Sequence, residues 1–242
     1  MIIPDALRSL STPSLLLDEG RMLRNIARLR THLDTLGVAL RPHLKTAKSV
    51  DVARRVLTGG NGPATVSTLK EAKVFAAAGV RDILYAVSIA PQKLPHVVAL
   101  RATGCNLTLV LDSAEQAKAV AKASRLADDA IPVLIEIDSD GHRSGLQADD
   151  PAVIAIGRTL EEGGAALRGV ITHAGESYGA SGADALAAFA ERERLAAVTA
   201  AEALRKAGLP CPVVSVGSTP TAHFARGLSG VTEVRAGVYV FF

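Results

Sequence analysis

Lys45 stands in the stretch Arg41-Pro42-His43-Leu44-Lys45-Thr46-Ala47-Lys48, directly behind a short aliphatic run at 38–40. If that run is a strand and extends so far, Arg41, His43 and Lys45 alternate onto one face. A lysine held at a strand end, partly desolvated and close to other cations, has a lowered pKa and can form an imine with a carbonyl compound. The competing reading is a surface turn with ordinary solvated lysines.

Four further stretches carry polar groups behind aliphatic runs. In Val213-Val214-Ser215-Val216-Gly217-Ser218-Thr219-Pro220, Gly217 lets the backbone approach a ligand and Pro220 suits the start of a helix. The amides that follow would point at an anion such as a phosphate group, unless this is only a capped turn. In Thr172-His173-Ala174-Gly175-Glu176-Ser177-Tyr178, His173 could orient a ring or move protons, or be a hydrogen-bonded structural histidine. The loop Glu136-Ile137-Asp138-Ser139-Asp140-Gly141-His142-Arg143-Ser144-Gly145 offers an Asp138–Arg143 pair, or an arginine free for an anionic or ring-oxygen group. Its likeness to a calcium loop fails on spacing and on the missing bidentate Glu, and a solvated turn competes. In Thr65-Val66-Ser67-Thr68-Leu69-Lys70-Glu71-Ala72, Ser67 or Thr68 caps the next helix.

The elements that must position these groups follow a βαβα rhythm. Aliphatic runs fall at 14–17, 38–40, 64–66, 83–86, 107–111, 133–137, 169–172, 213–216 and 232–240. Amphipathic helical patterns fall at 21–36, 50–57, 69–78, 91–102, 114–127, 151–162, 183–207 and 220–225. About eight such units predict an α/β fold, a closed (β/α)₈ TIM-type barrel with a parallel sheet and right-handed crossovers. Its chemistry belongs at the carboxyl ends of the strands. Ser113 caps the helix at 114, and Gly37, Gly79, Gly104 and Gly208 each close a helix. No linker or repeat divides the chain, so residues 1–242 read as one domain.

Composition agrees. The 242 residues are 48% hydrophobic but only 3% aromatic, with no Trp, so the core is built from Ala, Val, Leu and Ile. The charge of +3 comes from scattered basic residues and argues against nucleic acid as a partner. Two distant cysteines, Cys105 and Cys211, suit buried thiols in a reducing cytoplasm. The start MIIPDALRSL has no signal-peptide pattern, and no apolar run reaches the length of a membrane span. The apolar tail Val238-Tyr239-Val240-Phe241-Phe242 reads as the cut end of a longer protein.

Taken together, these stretches resemble the fold-type III pyridoxal-phosphate enzymes, in particular the D-threonine aldolase and D-serine dehydratase group with its alanine racemase-like barrel. The resemblance rests on Ser11-Thr12-Pro13-Ser14 with Asp18, Arg41-Pro42-His43-Leu44-Lys45-Thr46, Val66-Ser67-Thr68 with Glu71-Ala72, and Glu136-Ile137-Asp138 with Arg143-Ser144-Gly145. It continues through His173-Ala174-Gly175, Gly217-Ser218-Thr219-Pro220 and Arg235-Ala236-Gly237-Val238-Tyr239. It implies that Lys45 carries pyridoxal phosphate as a Schiff base and that His173 and Thr172 stand near its ring. It also implies that Arg143, His43 and Ser67 contact the cofactor. Gly217, Ser218, Thr219, Gly237 and Tyr239 match the phosphate-binding segments.

The same resemblance implies a D-amino acid substrate and a homodimer. Family members continue into a C-terminal β domain carrying a His and a Cys or Asp that bind a divalent metal, Zn or Mn. That domain appears absent here, and no metal ligand is assigned within the chain. Two reactions compete. Retro-aldol cleavage of a D-3-hydroxy amino acid gives glycine and an aldehyde; β-elimination gives a keto acid and ammonia. The reading leans to the aldolase. A racemase, a non-catalytic cofactor carrier and a cofactor-free lysine-imine aldolase are the rivals.

Overall fold

The computed structural model describes residues 5–241; Met1–Pro4, the start of the N-terminal stretch read above, and Phe242, the end of the apolar tail, lie outside the described residues. Two helices, α1 (Asp5–Arg8) and α2 (Glu19–Thr35), come first. Strands β1 (Ala39–Leu40), β2 (Ala64–Val66), β3 (Asp82–Ser88), β4 (Asn106–Leu111), β5 (Pro132–Ile137), β6 (Ala166–Thr172), β7 (Val213–Val216) and β8 (Glu233–Val234) then form one sheet. Between them run α3 (Val50–Val56), α4 (Leu69–Ala77), α5 (Leu94–Arg101), α6 (Ala114–Ala127), α7 (Ala152–Glu162), α8 (Ala183–Lys206) and α9 (Thr219–Phe224). Every paired strand is parallel, which a tight hairpin cannot supply, so each connection needs a crossover.

The order β1-β8-β7-β6-β5-β4-β3-β2 leaves β1 and β2 at the two ends. They meet through the chain just beyond β1. Thr65 donates to the Pro42 carbonyl and Leu44 donates to the Thr65 carbonyl, both at 2.8 Å, and this closes the (β/α)₈ barrel. On its other side the β1 chain stays in register with β8, because His43 donates to the Ala236 carbonyl at 2.8 Å. That double pairing carries the chain up to the rim where Lys45 begins its loop.

Local signals agree with the elements. Asp18 caps α2, whose buried face is Met22, Ile26, Leu29 and Leu33, at helical spacing. Ser113 and Gln116 make a full capping box on α6. Of the two candidates before α4, Thr68 is the cap. Gly37, Gly79, Gly104 and Gly208 all take positive φ behind their helices. Both cysteines are free and buried. Among the described residues, no helix is long and apolar enough to cross a membrane.

Two expected strands differ. The run 14–17 forms no strand, and Leu15, Leu16 and Leu17 are exposed. An aliphatic run becomes a strand only where a neighbour takes its backbone hydrogen bonds, and among the described residues none pairs with this one. The run 232–240 is a strand only at Glu233–Val234; Val238–Phe241 turns into a 3₁₀ helix that buries Tyr239 and Val240. There Gly237 passes so close to β1 that a Cβ would meet the His43 carbonyl and the Thr46 hydroxyl at 2.9 Å, and the chain bends away.

Candidate active site

A cavity of about 270 Å³ opens at the carboxyl end of the barrel. The loop after β1 contributes His43, Lys45 and Thr46. The β5 strand and loop contribute Glu136 and Arg143, and the β6 loop His173 and Tyr178. The β7 loop brings Gly217, Ser218 and Thr219, and the segment after β8 brings Arg235, Gly237 and Val238. Five separate connections thus converge, as expected for a barrel mouth. Arg41 is not among these residues. Being inward but one layer lower, it pairs with Asp82 at 2.9 Å and Glu233 at 2.8 Å on the barrel floor.

The Lys45 amine is pushed below the usual lysine range by partial burial and then by the charges of Arg143 and Arg235, with Glu71 opposing. A larger neutral fraction makes it a better nucleophile toward an aldehyde. His43 is held neutral, its pKa lowered to about 2 by burial and the neighbouring Lys45 charge. The Lys45 amide donates to His43 Nδ1 at 3.4 Å, so the ring proton sits on Nε2, which faces the Ser67 hydroxyl at 3.4 Å. His173 is lowered to about 4, chiefly by burial. Its Nδ1 lies 2.7 Å from the Gly217 carbonyl, which can only accept. Nδ1 therefore carries the proton and Nε2 keeps a lone pair.

Behind the cavity a polar column descends through the barrel. Buried Arg235 donates to the Thr172 carbonyl and, at 2.6 Å, to the Ser215 hydroxyl. Ser215 donates to Glu233 at 2.6 Å, and Glu233 accepts from Arg41. The pair proposed between Asp138 and Arg143 does not form. Asp138 instead accepts from the amides of Asp140 and Gly141 at 3.0 and 2.9 Å, closing its own loop. Arg143 stays exposed beside Lys45.

Three of the residues matched to the cofactor site lie outside the cavity lining. Ser67 backs His43, and its amide donates to Glu71 at 2.8 Å. Thr172 is fully buried, with its hydroxyl on Ser139 at 3.1 Å. Tyr239 sends its amide to the Thr219 hydroxyl at 3.3 Å, while its ring is buried and its hydroxyl has no partner among the described residues. Burial pushes that phenol upward. The β7 loop also differs from the simple anion cradle. The Gly217 amide donates inward to Glu193 at 2.9 Å and the Ser218 amide to Thr221 at 3.1 Å. The Thr219 amide faces the Tyr178 hydroxyl at 3.3 Å, on the open side.

Sequence reasoning assigned no site role to Arg235, Glu136 or Glu193. Glu193 left a usable signal: it interrupts the buried stripe Leu186, Ala190, Ala197 and Leu204 of α8, where a carboxylate needs partners. The donor set fits pyridoxal phosphate. A cationically flanked lysine lines the cavity together with Thr219 and Gly237. The Tyr239 amide on the Thr219 hydroxyl joins their two segments, and Gly237 lies so close to the His43 carbonyl and the Thr46 hydroxyl that no Cβ fits. Among the described residues, no group of three or more His, Cys, Asp or Glu could hold a metal ion.

Comparison with known proteins bears directly on this site. The chain is 59% identical to D-threo-3-hydroxyaspartate dehydratase of Delftia sp. (strain HT23), over 98% of its own length and 63% of the relative's. The solved structure of that protein superposes with a TM-score of 0.95, covering 98% of this chain and 62% of the other. D-serine dehydratase of Schizosaccharomyces pombe is 31% identical, over 96% of this chain and 61% of the relative. D-threonine aldolase of Arthrobacter sp. is 30% identical, over 98% and 62%. The chain therefore spans a little over three fifths of the length of these relatives. Residues 17–242 match the model of the alanine racemase N-terminal domain, and the chain belongs to that family, the pyridoxal-phosphate barrel of the fold-type III enzymes.

Proposed function

We propose that this chain forms the cofactor-bearing part of a pyridoxal-phosphate-dependent lyase acting on D-3-hydroxy amino acids. One observation carries the reading: Lys45 lines the cavity at the barrel rim together with Arg143, His173, Thr219 and Arg235, a setting of partial burial and neighbouring cations that lowers the pKa of its amine. When bound, the cofactor supplies an electron sink for charge developing at Cα. Lys45 would hold it, and the lowered pKa of its amine suits that nitrogen to take a proton from Cα. His173 presents the Nε2 lone pair to a hydroxyl proton, with its other nitrogen anchored on Gly217. Thr219 and Gly237 would hold the phosphoryl arm, and Arg143 would offer its exposed guanidinium to an anionic group of the substrate. A divalent metal would act as Lewis acid on the hydroxyl, with ligands supplied from outside this chain.

Between the two reactions, β-elimination is favoured. The sequence alone leans to the aldolase, but identity is 59% to a D-threo-3-hydroxyaspartate dehydratase against 30% to a D-threonine aldolase. A 3-hydroxyaspartate also brings a second carboxylate, for which the cationic mouth is suited. The protein expressed from its whole gene, supplied with pyridoxal phosphate and a divalent cation, should release ammonia and a keto acid from D-threo-3-hydroxyaspartate. Glycine and an aldehyde from the same assay would transfer the reading to the aldolase, and no turnover of this substrate, D-threonine or D-serine would end it. Lys45→Ala should lose the borohydride-reducible adduct. The working unit belongs to the same proposal as a homodimer in a reducing cytoplasm; a fully active monomer in light scattering would remove the dimer.

A further inference from the structure

Glu193 lies on the barrel-facing side of α8 and is 1% exposed. Burying an ionised carboxylate is costly unless its oxygens are hydrogen-bonded. Both of them are. Oε1 accepts from the amides of Ala174 at 2.8 Å and Gly217 at 2.9 Å, and Oε2 accepts from the Thr221 hydroxyl at 2.8 Å. Ala174 follows His173 in the β6 loop, while Gly217 precedes Ser218 in the β7 loop and Thr221 lies in the first turn of α9. One side chain thus ties together the two loops that carry the imidazole and the anion-facing wall.

The Gly217 peptide is held at both ends. Its N–H goes to Glu193 and its carbonyl to His173 Nδ1. Its φ is +133°, and a Cβ there would stand 2.3 Å from the Arg235 carbonyl, so the loop is pressed against the segment after β8. With both amides directed away from the cavity, removal of the carboxylate leaves two buried donors unpaired, and the loop must move to satisfy them. Burial pushes the Glu193 carboxyl upward, with the three hydrogen bonds and the Arg235 charge opposing.

We infer that Glu193 is a positioning residue for phosphoryl binding: it sets the height of the Ser218–Thr219 wall and locks it to the His173 loop. This rests on the cofactor reading above. The test compares pyridoxal phosphate with pyridoxal, which lacks the phosphoryl group, as ligands of the apoprotein, following imine absorbance. Glu193→Leu should weaken pyridoxal phosphate at least about tenfold, as expected for loss of charge-assisted hydrogen bonds, and leave pyridoxal within about twofold. Glu193→Gln should stay within about threefold for both. Its oxygen can accept both amides and its NH₂ can donate to Thr221, whose hydroxyl then turns to the Ser218 carbonyl 3.3 Å away. Should the Leu variant fail to fold, Glu193→Asp, too short to reach both loops, replaces it with the same expectation at smaller size. Equal losses for the two ligands, or a native ratio in both the Leu and Asp variants, would overturn the inference. If the unsubstituted protein forms no reducible adduct with either aldehyde, the cofactor reading fails instead.

Discussion

The interior of the barrel is two different materials. On the β3–β6 side, Leu84, Val110, Leu134 and Ile171 pack into an apolar cluster with Ala86. On the β7–β8–β1 side the same layers hold Ser215, Glu233, Arg235 and Arg41. The first half stabilises the fold by burial, at roughly 1.5–3 kcal/mol for each large aliphatic side chain. The second returns little net stability, because desolvating the ions offsets their attraction. What it supplies is position: Arg235 is held rigidly under the cavity, and its charge reaches Lys45 and both histidines. Below the rim, apolar packing thus dominates one side of the barrel and buried charge the other, while loops from both sides line the cavity above.

Substitutions at matched depth should break that comparison. Glu233→Ala leaves the Ser215–Arg235 column without its carboxylate and Arg41 with Asp82 alone, and should cost about 3–5 kcal/mol in urea melts, with adduct formation by pyridoxal phosphate slowed roughly tenfold. Leu134→Ala should cost a similar 2–5 kcal/mol or so through its cavity, yet leave adduct formation within about twofold. Equal effects on the adduct would erase the distinction.

Acid should act on the charged half first. A histidine whose folded pKa is depressed binds its proton more readily in the unfolded chain, so stability falls as pH drops below the unfolded value. For His173 the loss begins near 6.5 and is complete near 4, and His43 extends it toward 2. The His173 share is about 3 kcal/mol, and His173→Gln should flatten that part of a stability profile measured from neutral pH downward.

The smallest effect sharpens the electrostatics. Arg143→Ala removes a cation that lowers the Lys45 pKa, so that pKa should rise. The neutral amine then disappears at a higher pH, and the acid limb of adduct formation should move to higher pH. An unmoved limb would mean that Arg143 lies outside the field felt by Lys45.

Much of this was legible beforehand because it is local. The alternation of aliphatic runs with helical stripes, the Ser113 cap and the glycines behind helices depend on neighbours a few residues away. Lys45 was legible too, because its distance from the run at 38–40 places it past a strand end. Some expectations failed at the same scale. Leu15–Leu17 has strand composition but no described neighbour to pair with. Asp138 closes its own turn rather than reaching Arg143.

Periodicity and turn chemistry along the chain thus determined the barrel and the loops that meet at its mouth, since those signals are written within single segments. Only the tertiary structure decided that Arg41 serves the floor, that the Tyr239 ring turns away from the cavity, and that Glu193 on an outer helix grips two loops. Those outcomes depend on groups far apart in sequence, such as Arg41 with Glu233, and become energetically meaningful only when folding removes water from between them.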